Sequence, residues 1–285
     1  MPTTPLETHG LGKRYGRVTA LEDLSLRIEE GEVFGFLGPN GAGKTTTIRL
    51  LLGLIRPTAG SFRVLPRAEI GYLPGELALW PHLSGRATLA LLARLTGRPA
   101  TLAAELCERV ALSSGDLSRA VRTYSDGMKQ KIGIVQALQC APTLALLDEP
   151  TKGLDPLVQQ AFYALIGDLR ARGLTVFFSS HVLPEVERVS DRVAMLRAGR
   201  LVAVGDVDTL RRAQARRVRV TFAADVDPAA LAPFGTVVTA AAREAELLVA
   251  QPQLAALVAR LGLLPLADVE IEAPRLEDAF LDRYR

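Results

Sequence analysis

The chain has 285 residues, enough for one full domain and a smaller one, and 48% of them are hydrophobic. The formal net charge of +3 is mildly basic, and we attribute the arginine excess to a GC-rich genome rather than to an anionic partner. Cys107 and Cys140 match no metal-binding spacing, so we expect two thiols in a reducing compartment. We expect no signal peptide, because the first residues lack the charged and then apolar build of one. We expect no membrane span, because no apolar run approaches the ~18 residues that a bilayer requires.

Alternating apolar and polar residues predict an edge sheet at the start of the chain. One strand ends at Tyr15, a turn follows at Gly16-Arg17, and a second strand runs from Leu21 to Ile28. Tyr15 is either an ordinary strand aromatic packed on the sheet or a platform for an adenine ring, with Val18 beside it.

A phosphate-loop pattern follows, G-x-x-x-x-G-K-[ST] over residues 38–45. A short apolar strand at 32–37 precedes it, and a helix ending near Gly53 follows it. The glycines allow backbone N–H groups to converge on an anion, and the helix N-terminus adds partial positive charge. Lys44 can bridge two phosphates, and the Thr45 hydroxyl can hold Mg²⁺. The pattern therefore predicts a nucleotide site.

Residues 76–140 contain no convincing strand, and we interpret them as a helical insert within an α/β domain. Short strands at 62–65 and 69–73 precede the insert, and helices are predicted at 87–95 and 102–110. Ser125 is the predicted N-cap of a further helix that runs through Leu138. Lys129 and Lys131 oppose the dipole of that helix in its first turns, which indicates that an anion binds there.

Two later strands end in polar residues that could bind a metal ion or act in catalysis. The apolar run from Leu144 ends in Asp148 and Glu149, which alternate to opposite faces of the strand, so one carboxylate can hold Mg²⁺ and the other can orient or deprotonate a water. The strand from Leu174 ends at His181, where a ligand-facing loop belongs in a parallel sheet. A helix at 183–189 and strands at 192–196 and 201–204 complete this domain.

Together these motifs resemble the ATP-binding subunit of an ATP-binding-cassette (ABC) transporter, over roughly residues 6–210. The phosphate loop alone indicates only a nucleotide. The specific part is the order in which the other motifs follow it. They are Tyr124-Ser125-Asp126-Gly127-Met128, the acidic strand with Pro150-Thr151, the loop Lys152-Gly153-Leu154-Asp155, and His181.

The resemblance implies a role for each matching residue. ATP and Mg²⁺ are the implied cofactors, Tyr15 stacks on adenine with Val18 beside it, and Thr45 and Asp148 hold the metal. Glu149 is the catalytic base, and His181 contacts the γ-phosphate. Ser125 and Gly127 serve the nucleotide of the opposite subunit, which implies a homodimer or heterodimer, and Asp155 is a further nucleotide-site residue. The triphosphate-binding residues are Gly38, Pro39, Asn40, Gly41, Ala42, Gly43, Lys44, Thr45 and Thr46.

Two positions depart from the family pattern. Gly75 stands where a glutamine that contacts the metal and the attacking water is usual, so either the neighbouring Glu76 substitutes or the contact is missing. Asp126 replaces a glycine of the common signature. Its carboxylate either repels the γ-phosphate, is offset by Lys129 and Lys131, or points away from the site.

The composition changes after residue 210, and we predict a small α+β domain over 211–285. It has strands at 218–222, 236–238, 246–249 and 269–272, helices starting at Pro228 and Leu254, and a closing segment at 276–281. It resembles the tail of cassette subunits that work with ABC-2-type permeases. The arginine cluster Arg211, Arg212, Arg216 and Arg217 either faces lipid or permease or belongs to a solvated linker.

The resemblance implies an ATPase subunit that powers an exporter, in the cytoplasm on the inner face of the membrane through its integral-membrane permease. No nucleic acid partner is expected. Three alternatives remain: an import subunit, a soluble cassette ATPase that acts on ribosomes or DNA, and a regulator that does not hydrolyse ATP.

Overall fold

The structure is a computed structural model that describes residues 4–207, 209 and 215–272. The chain divides into two compact units between Val204 and Gly205, a few residues before the predicted change at 210. Among the described residues, no helix combines the length and the apolar character needed to cross a bilayer. Both cysteines are free thiols, with Cys107 buried.

The described part of the N-terminal unit contains two sheets. The outer sheet is antiparallel in the order β2-β1-β4, and a two-residue turn pairs Tyr15 with Val18 as predicted. The central sheet has the order β5-β6-β7-β3-β8-β9, with β5, β6, β7, β3 and β8 parallel. The strands are β1 (Leu6–Tyr15), β2 (Val18–Ile28), β3 (Val33–Leu37), β4 (Ala59–Val64), β5 (Ile70–Leu73), β6 (Leu144–Asp148), β7 (Thr175–Ser180), β8 (Arg192–Arg197) and β9 (Arg200–Asp206).

The central sheet forms because its strands are apolar on both faces. Every residue of β3, β6 and β7 is buried, as in parallel sheets covered by helices. Phe34, Phe36 and Phe177 pack together at its centre. The carboxyl ends of β3, β6 and β7 meet at one edge, where the phosphate loop, Asp148 with Glu149, and His181 follow them.

The helical insert is confirmed. Residues 76–140, all of them described, contain no strand, only an isolated bridge between Ser84 and Ala120. Ser125 caps the last helix of the insert, its hydroxyl accepting from the Met128 N–H at 3.2 Å. The helices up to this point are α1 (Lys44–Leu51), α2 (Gly85–Thr96), α3 (Ala103–Arg109), α4 (Ser114–Ser118) and α5 (Asp126–Leu138).

One long helix was not predicted, α6 (Pro156–Ala171). Asp155 caps it by accepting from the Val158 N–H at 3.0 Å, and Pro156 occupies its first turn. An aspartate followed by proline is a recognised helix start, so a sequence signal was available. The short α7 (Leu183–Val189) has its predicted bounds.

The C-terminal unit has its own hydrophobic core. Its antiparallel sheet has the order β11-β12-β10-β13. The segment at Pro228 is a 3-10 helix rather than an α-helix. Arg217 pairs with Glu246 within this sheet, whereas Arg211, Arg212 and the segment 276–281 lie outside the described residues. The elements are β10 (Arg216–Phe222), β11 (Thr236–Ala240), β12 (Glu244–Val249), α8 (Gln251–Leu261) and β13 (Leu266–Glu272).

Candidate nucleotide site

A cleft of about 450 Å³ lies at the carboxyl edge of the central sheet. Residues 39–46 of the phosphate loop line one side of it, and Asp148 and Glu149 line another. Ala20, Tyr72, Gly75 and Glu76 complete much of the wall. The structure therefore brings the phosphate loop and the acidic strand together, as the parallel topology predicts.

The phosphate loop takes a shape that only its glycines allow. Gly43 has a φ of 110°, and a Cβ there would lie 2.5 Å from the Ala20 carbonyl oxygen. At Gly38, a Cβ would lie 2.4 Å from the Leu196 carbonyl oxygen. Lys44 begins α1, and its Nζ donates to the carbonyl oxygens of Gly38 and Pro39 at 2.6 and 3.3 Å. The ammonium group is thus held against the loop that would cradle phosphate.

The residues expected to hold Mg²⁺ are in contact. The Thr45 hydroxyl donates to Asp148 Oδ2 at 2.7 Å, and the Ser179 hydroxyl donates to Asp148 Oδ1 at 2.5 Å. Asp148 is 1% exposed. A hydroxyl and a carboxylate are the hard oxygen donors that Mg²⁺ prefers beside nucleotide phosphates, so this pair fits the ion.

Glu149 reaches the cleft in a way that strand alternation does not explain. β6 ends at Asp148, and Glu149 adopts a left-handed backbone with φ of 52°. Its Oε1 lies 3.3 Å from Lys44 Nζ, and its Oε2 accepts from His181 Nδ1 at 2.6 Å. The expectation that alternation separates the two carboxylates was therefore wrong. The turn after the strand sends both of them to the cleft.

Two residues that the sequence analysis did not select hold this turn. The Gln130 side-chain amide donates to the carbonyl oxygens of Glu149 and Pro150 at 3.2 and 2.8 Å. The Glu149 N–H donates to the Ser179 hydroxyl and carbonyl oxygens, both at 3.2 Å. Gln130 is only 6% exposed, but nothing in its sequence neighbourhood distinguishes a buried amide from a solvated one.

Tyr15 does not pack into the sheet. Its side chain is 47% exposed, and that of Val18 is 66% exposed. Lys13 Nζ lies 5.0 Å from the centre of the Tyr15 ring and donates to the Arg56 carbonyl oxygen at 2.8 Å. Tyr15 and Val18 are not among the described residues that line the cleft, so the adenine role of this exposed aromatic stays a prediction.

Ser125, Gly127 and Asp155 are not among the described residues that line the cleft. Ser125 and Asp155 cap α5 and α6, while Gly127 lies against the loop between β6 and α6. A Cβ at Gly127 would lie 2.8 Å from the Gly153 carbonyl oxygen, so only glycine permits this approach. The signature and the Gly-Leu-Asp loop therefore form one surface.

Asp126 and Gly75, the two positions that depart from the family pattern, have different surroundings. Asp126 is 94% exposed and pairs with Lys129 at 3.0 Å, whereas Lys131 Nζ lies 3.5 Å from the Ala111 carbonyl oxygen. Lys129 thus compensates the Asp126 charge within one helical turn, and Lys131 faces elsewhere. Gly75 lies against the metal-site carboxylate, since a Cβ there would be 3.1 Å from Asp148 Oδ2.

Comparisons with known proteins match both units of the chain to one family. The family model "ABC transporter" matches residues 21–152, and the model "EvrA-like ABC transporter, C-terminal domain" matches residues 214–272. An uncharacterised ABC transporter ATP-binding protein of Nostoc is 43% identical over 211 residues, which span 70% of this chain and 63% of the relative.

A second relative and a solved structure extend the match. The bacitracin transport ATP-binding protein BcrA of Bacillus licheniformis is 36% identical over 222 residues, covering 74% of this chain and 72% of the relative. The structure of an ATP-binding subunit of an ABC transporter superposes with a TM-score of 0.68 at 32% identity, covering 74% of this chain and 92% of that chain. The chain therefore belongs to the ABC transporter family and carries that family's ATPase domain.

Proposed function

We propose that this chain is the ATP-hydrolysing subunit of an exporter, working as a dimer on a separate membrane permease. The observation that carries the proposal is the contact of Glu149 with both Lys44 and His181 beside the paired Thr45 and Asp148. These groups meet at a phosphate loop, which is where a triphosphate and an attacking water would be held.

In this proposal each group has one task. Residues 38–46 bind the triphosphate, and Tyr15 with Val18 supports the adenine. Mg²⁺, held by Thr45 and Asp148, would neutralise phosphate charge. Glu149 accepts the proton of the water that attacks the γ-phosphorus, and the bond to the ADP oxygen breaks. His181 orients the Glu149 carboxylate and contacts the γ-phosphate.

The surface formed by Ser125, Gly127 and Asp155 would complete the site of a second subunit. The close approach of Gly127 to the Gly153 carbonyl oxygen, which places the two motifs on one surface, supports this assignment. The second subunit is an identical or a related chain. ATP binding closes the pair, and hydrolysis reopens it.

Export through an ABC-2-type permease is supported by the C-terminal match to an EvrA-like domain and by the bacitracin transport relative. The chain would then lie in the cytoplasm, on the inner face of the membrane through that permease. An import subunit is the alternative. A regulator without turnover is favoured only by Gly75, because Asp126 is exposed and compensated by Lys129.

The test is the mass in solution of Glu149→Gln, with and without ATP. Removal of the base should retain ATP binding and trap the closed state, so we expect a dimer only with ATP and no measurable hydrolysis. A Lys44→Ala variant, which loses the phosphate contact, should stay monomeric with ATP. A Glu149→Gln variant that binds ATP and remains monomeric, or that still hydrolyses it, would contradict the proposal.

A further inference from the structure

Glu185, at the start of α7, receives a buried hydroxyl on each carboxylate oxygen. The Thr151 hydroxyl donates to its Oε1 at 2.7 Å, and the Ser180 hydroxyl donates to its Oε2 at 2.7 Å. Thr151 is 5% exposed and Ser180 is fully buried. Hydrogen bonds from hydroxyls to a carboxylate are short and strong, so Glu185 connects the two donors firmly.

The two donors lie at the two loops that contain the proposed catalytic groups: Thr151 in the loop after β6, and Ser180 as the last residue of β7, directly before the loop of His181. Thr151 lies two residues after Glu149, and Ser180 directly precedes His181. The Ser180 hydroxyl also accepts from the Val182 N–H at 2.9 Å, so it spans His181. The Glu185 carboxylate thus joins the two loops behind the contact between Glu149 and His181.

Glu185 also has a neighbour on α6, the phenol of Tyr163. Burial, and then the negative charge of Glu185, raises the pKa of Tyr163 to about 12, so the phenol remains a neutral neighbour of the carboxylate. The guanidinium of Arg188, one turn further along α7, lies 5.1 Å from the centre of the Tyr163 ring. The carboxylate therefore has neighbours in the turn after β6, on β7 and on α6.

We propose that Glu185 is a positioning residue for ATP hydrolysis, which sets the placement of His181 relative to Glu149 by tying Ser180 to Thr151. This rests on the proposed function of Glu149. A carboxylate is required because it offers two acceptors. Glutamine offers one oxygen, and its amide group would donate where a hydroxyl already donates. An alanine would leave both buried hydroxyls without their acceptor.

The experiment compares Glu185→Gln with the full-length wild-type chain. Because the substitution moves the proton-accepting groups but leaves the phosphate loop intact, kcat should fall about ten- to a hundredfold. The dissociation constant for ATP should stay within about twofold of wild type. The matched control is Glu105→Gln, a carboxylate in the helical insert that pairs with Arg172 at 2.9 Å, and it should retain wild-type kcat.

A second set of variants tests the bridge itself. Thr151→Val should lower kcat and Thr151→Ser, which keeps the hydroxyl, should restore it. If both loops act through Glu185, the double variant Thr151→Val with Glu185→Gln should be no slower than Glu185→Gln alone. If Glu185→Gln does not fold, the comparison of Thr151→Val with Thr151→Ser still tests the positioning role.

Three results would overturn the positioning role: wild-type kcat in Glu185→Gln, equal losses in Thr151→Val and Thr151→Ser, or losses that multiply in the double variant. Absence of hydrolysis by the wild-type chain with its permease would instead contradict the proposed function. The two failures are therefore distinguishable.

Discussion

At the scale of single residues, the site depends on Glu149, whose backbone has the left-handed conformation. A non-glycine residue with positive φ is unfavourable by about 1–2 kcal/mol. Glu149 is kept there because its N–H is bound by Ser179 and its carbonyl by Gln130. The strained turn brings its carboxylate to Lys44 instead of leaving it on the far face of β6. Backbone strain at this position thus has a chemical consequence.

The raised pKa of Tyr163 predicts that the protein loses stability at alkaline pH. In the unfolded chain a tyrosine ionises near pH 10.0, whereas the pKa of Tyr163 in the folded chain is raised to about 12, mainly by burial. Between these values the unfolded state has lost a proton that the folded state keeps, so the free energy of unfolding falls as pH rises. We expect a fall of about 2–3 kcal/mol, measured by urea unfolding across this range.

Tyr163→Phe removes this titration and should flatten the alkaline slope by that amount. Tyr15→Phe, which removes the phenol hydroxyl of a half-exposed tyrosine, is the control variant. An identical slope in Tyr163→Phe and wild type would show that burial of this phenol does not oppose its ionisation.

At the scale of elements, α7 packs on β3 through a glycine. A Cβ at Gly35 would lie 2.3 Å from Val186 Cγ1 and 2.7 Å from Ser190 Oγ. Val186 is fully buried, so it has no free space to move into. The helix that carries Glu185 therefore takes its position from a residue without a side chain on the neighbouring strand.

Gly35→Ala should accordingly destabilise the protein by about 1–3 kcal/mol through overpacking. Gly167→Ala is its matched control, because that exposed glycine lies inside α6 and a Cβ there would meet nothing within 4 Å. It should stabilise the protein by about 0.5–1 kcal/mol, the helix-propensity difference between the two residues. Urea unfolding of both variants checks the pair, and equal effects would contradict the packing account.

At the scale of the whole molecule, the nucleotide cleft shares a wall with a second groove of about 290 Å³. Tyr72 and Pro74 line both, and the groove also contains Leu77 and Trp80. Trp80 is 44% exposed. A large exposed aromatic at the rim of an apolar groove is typical of a protein interface, and the permease is the partner that we propose for it.

Trp80→Glu should then abolish co-purification with the permease and transport, while ATP binding by the purified chain is retained. A charge buried in an apolar interface is desolvated without a partner, whereas at an exposed position of the free chain it costs little stability. Leu54→Glu, at a residue that is 58% exposed and outside the groove, is the control. Normal complex formation by Trp80→Glu would exclude this groove as the docking face.

The sequence by itself determined most elements of the N-terminal fold, apart from α6, and it supplied most of the residues of the proposed site. Buried parallel strands appear in the sequence as continuous apolar runs, and a phosphate loop requires glycines at particular positions. Both can therefore be recognised from a short stretch of sequence. The edge hairpin, the helical insert and the Ser125 cap follow from equally local rules, and the structure confirms them. The predicted boundary at 210 came from a change in composition, whereas the chain divides between Val204 and Gly205.

Only the tertiary structure decided which side chains touch. Gln130 lies on α5 and Glu185 on α7, and each reaches a backbone or hydroxyl group tens of residues away in the chain. Gly127 and Gly153 approach because two loops meet there. The Glu149 turn reverses the expectation from strand alternation. Such contacts depend on loop geometry and packing between distant segments, which residue type and spacing do not encode.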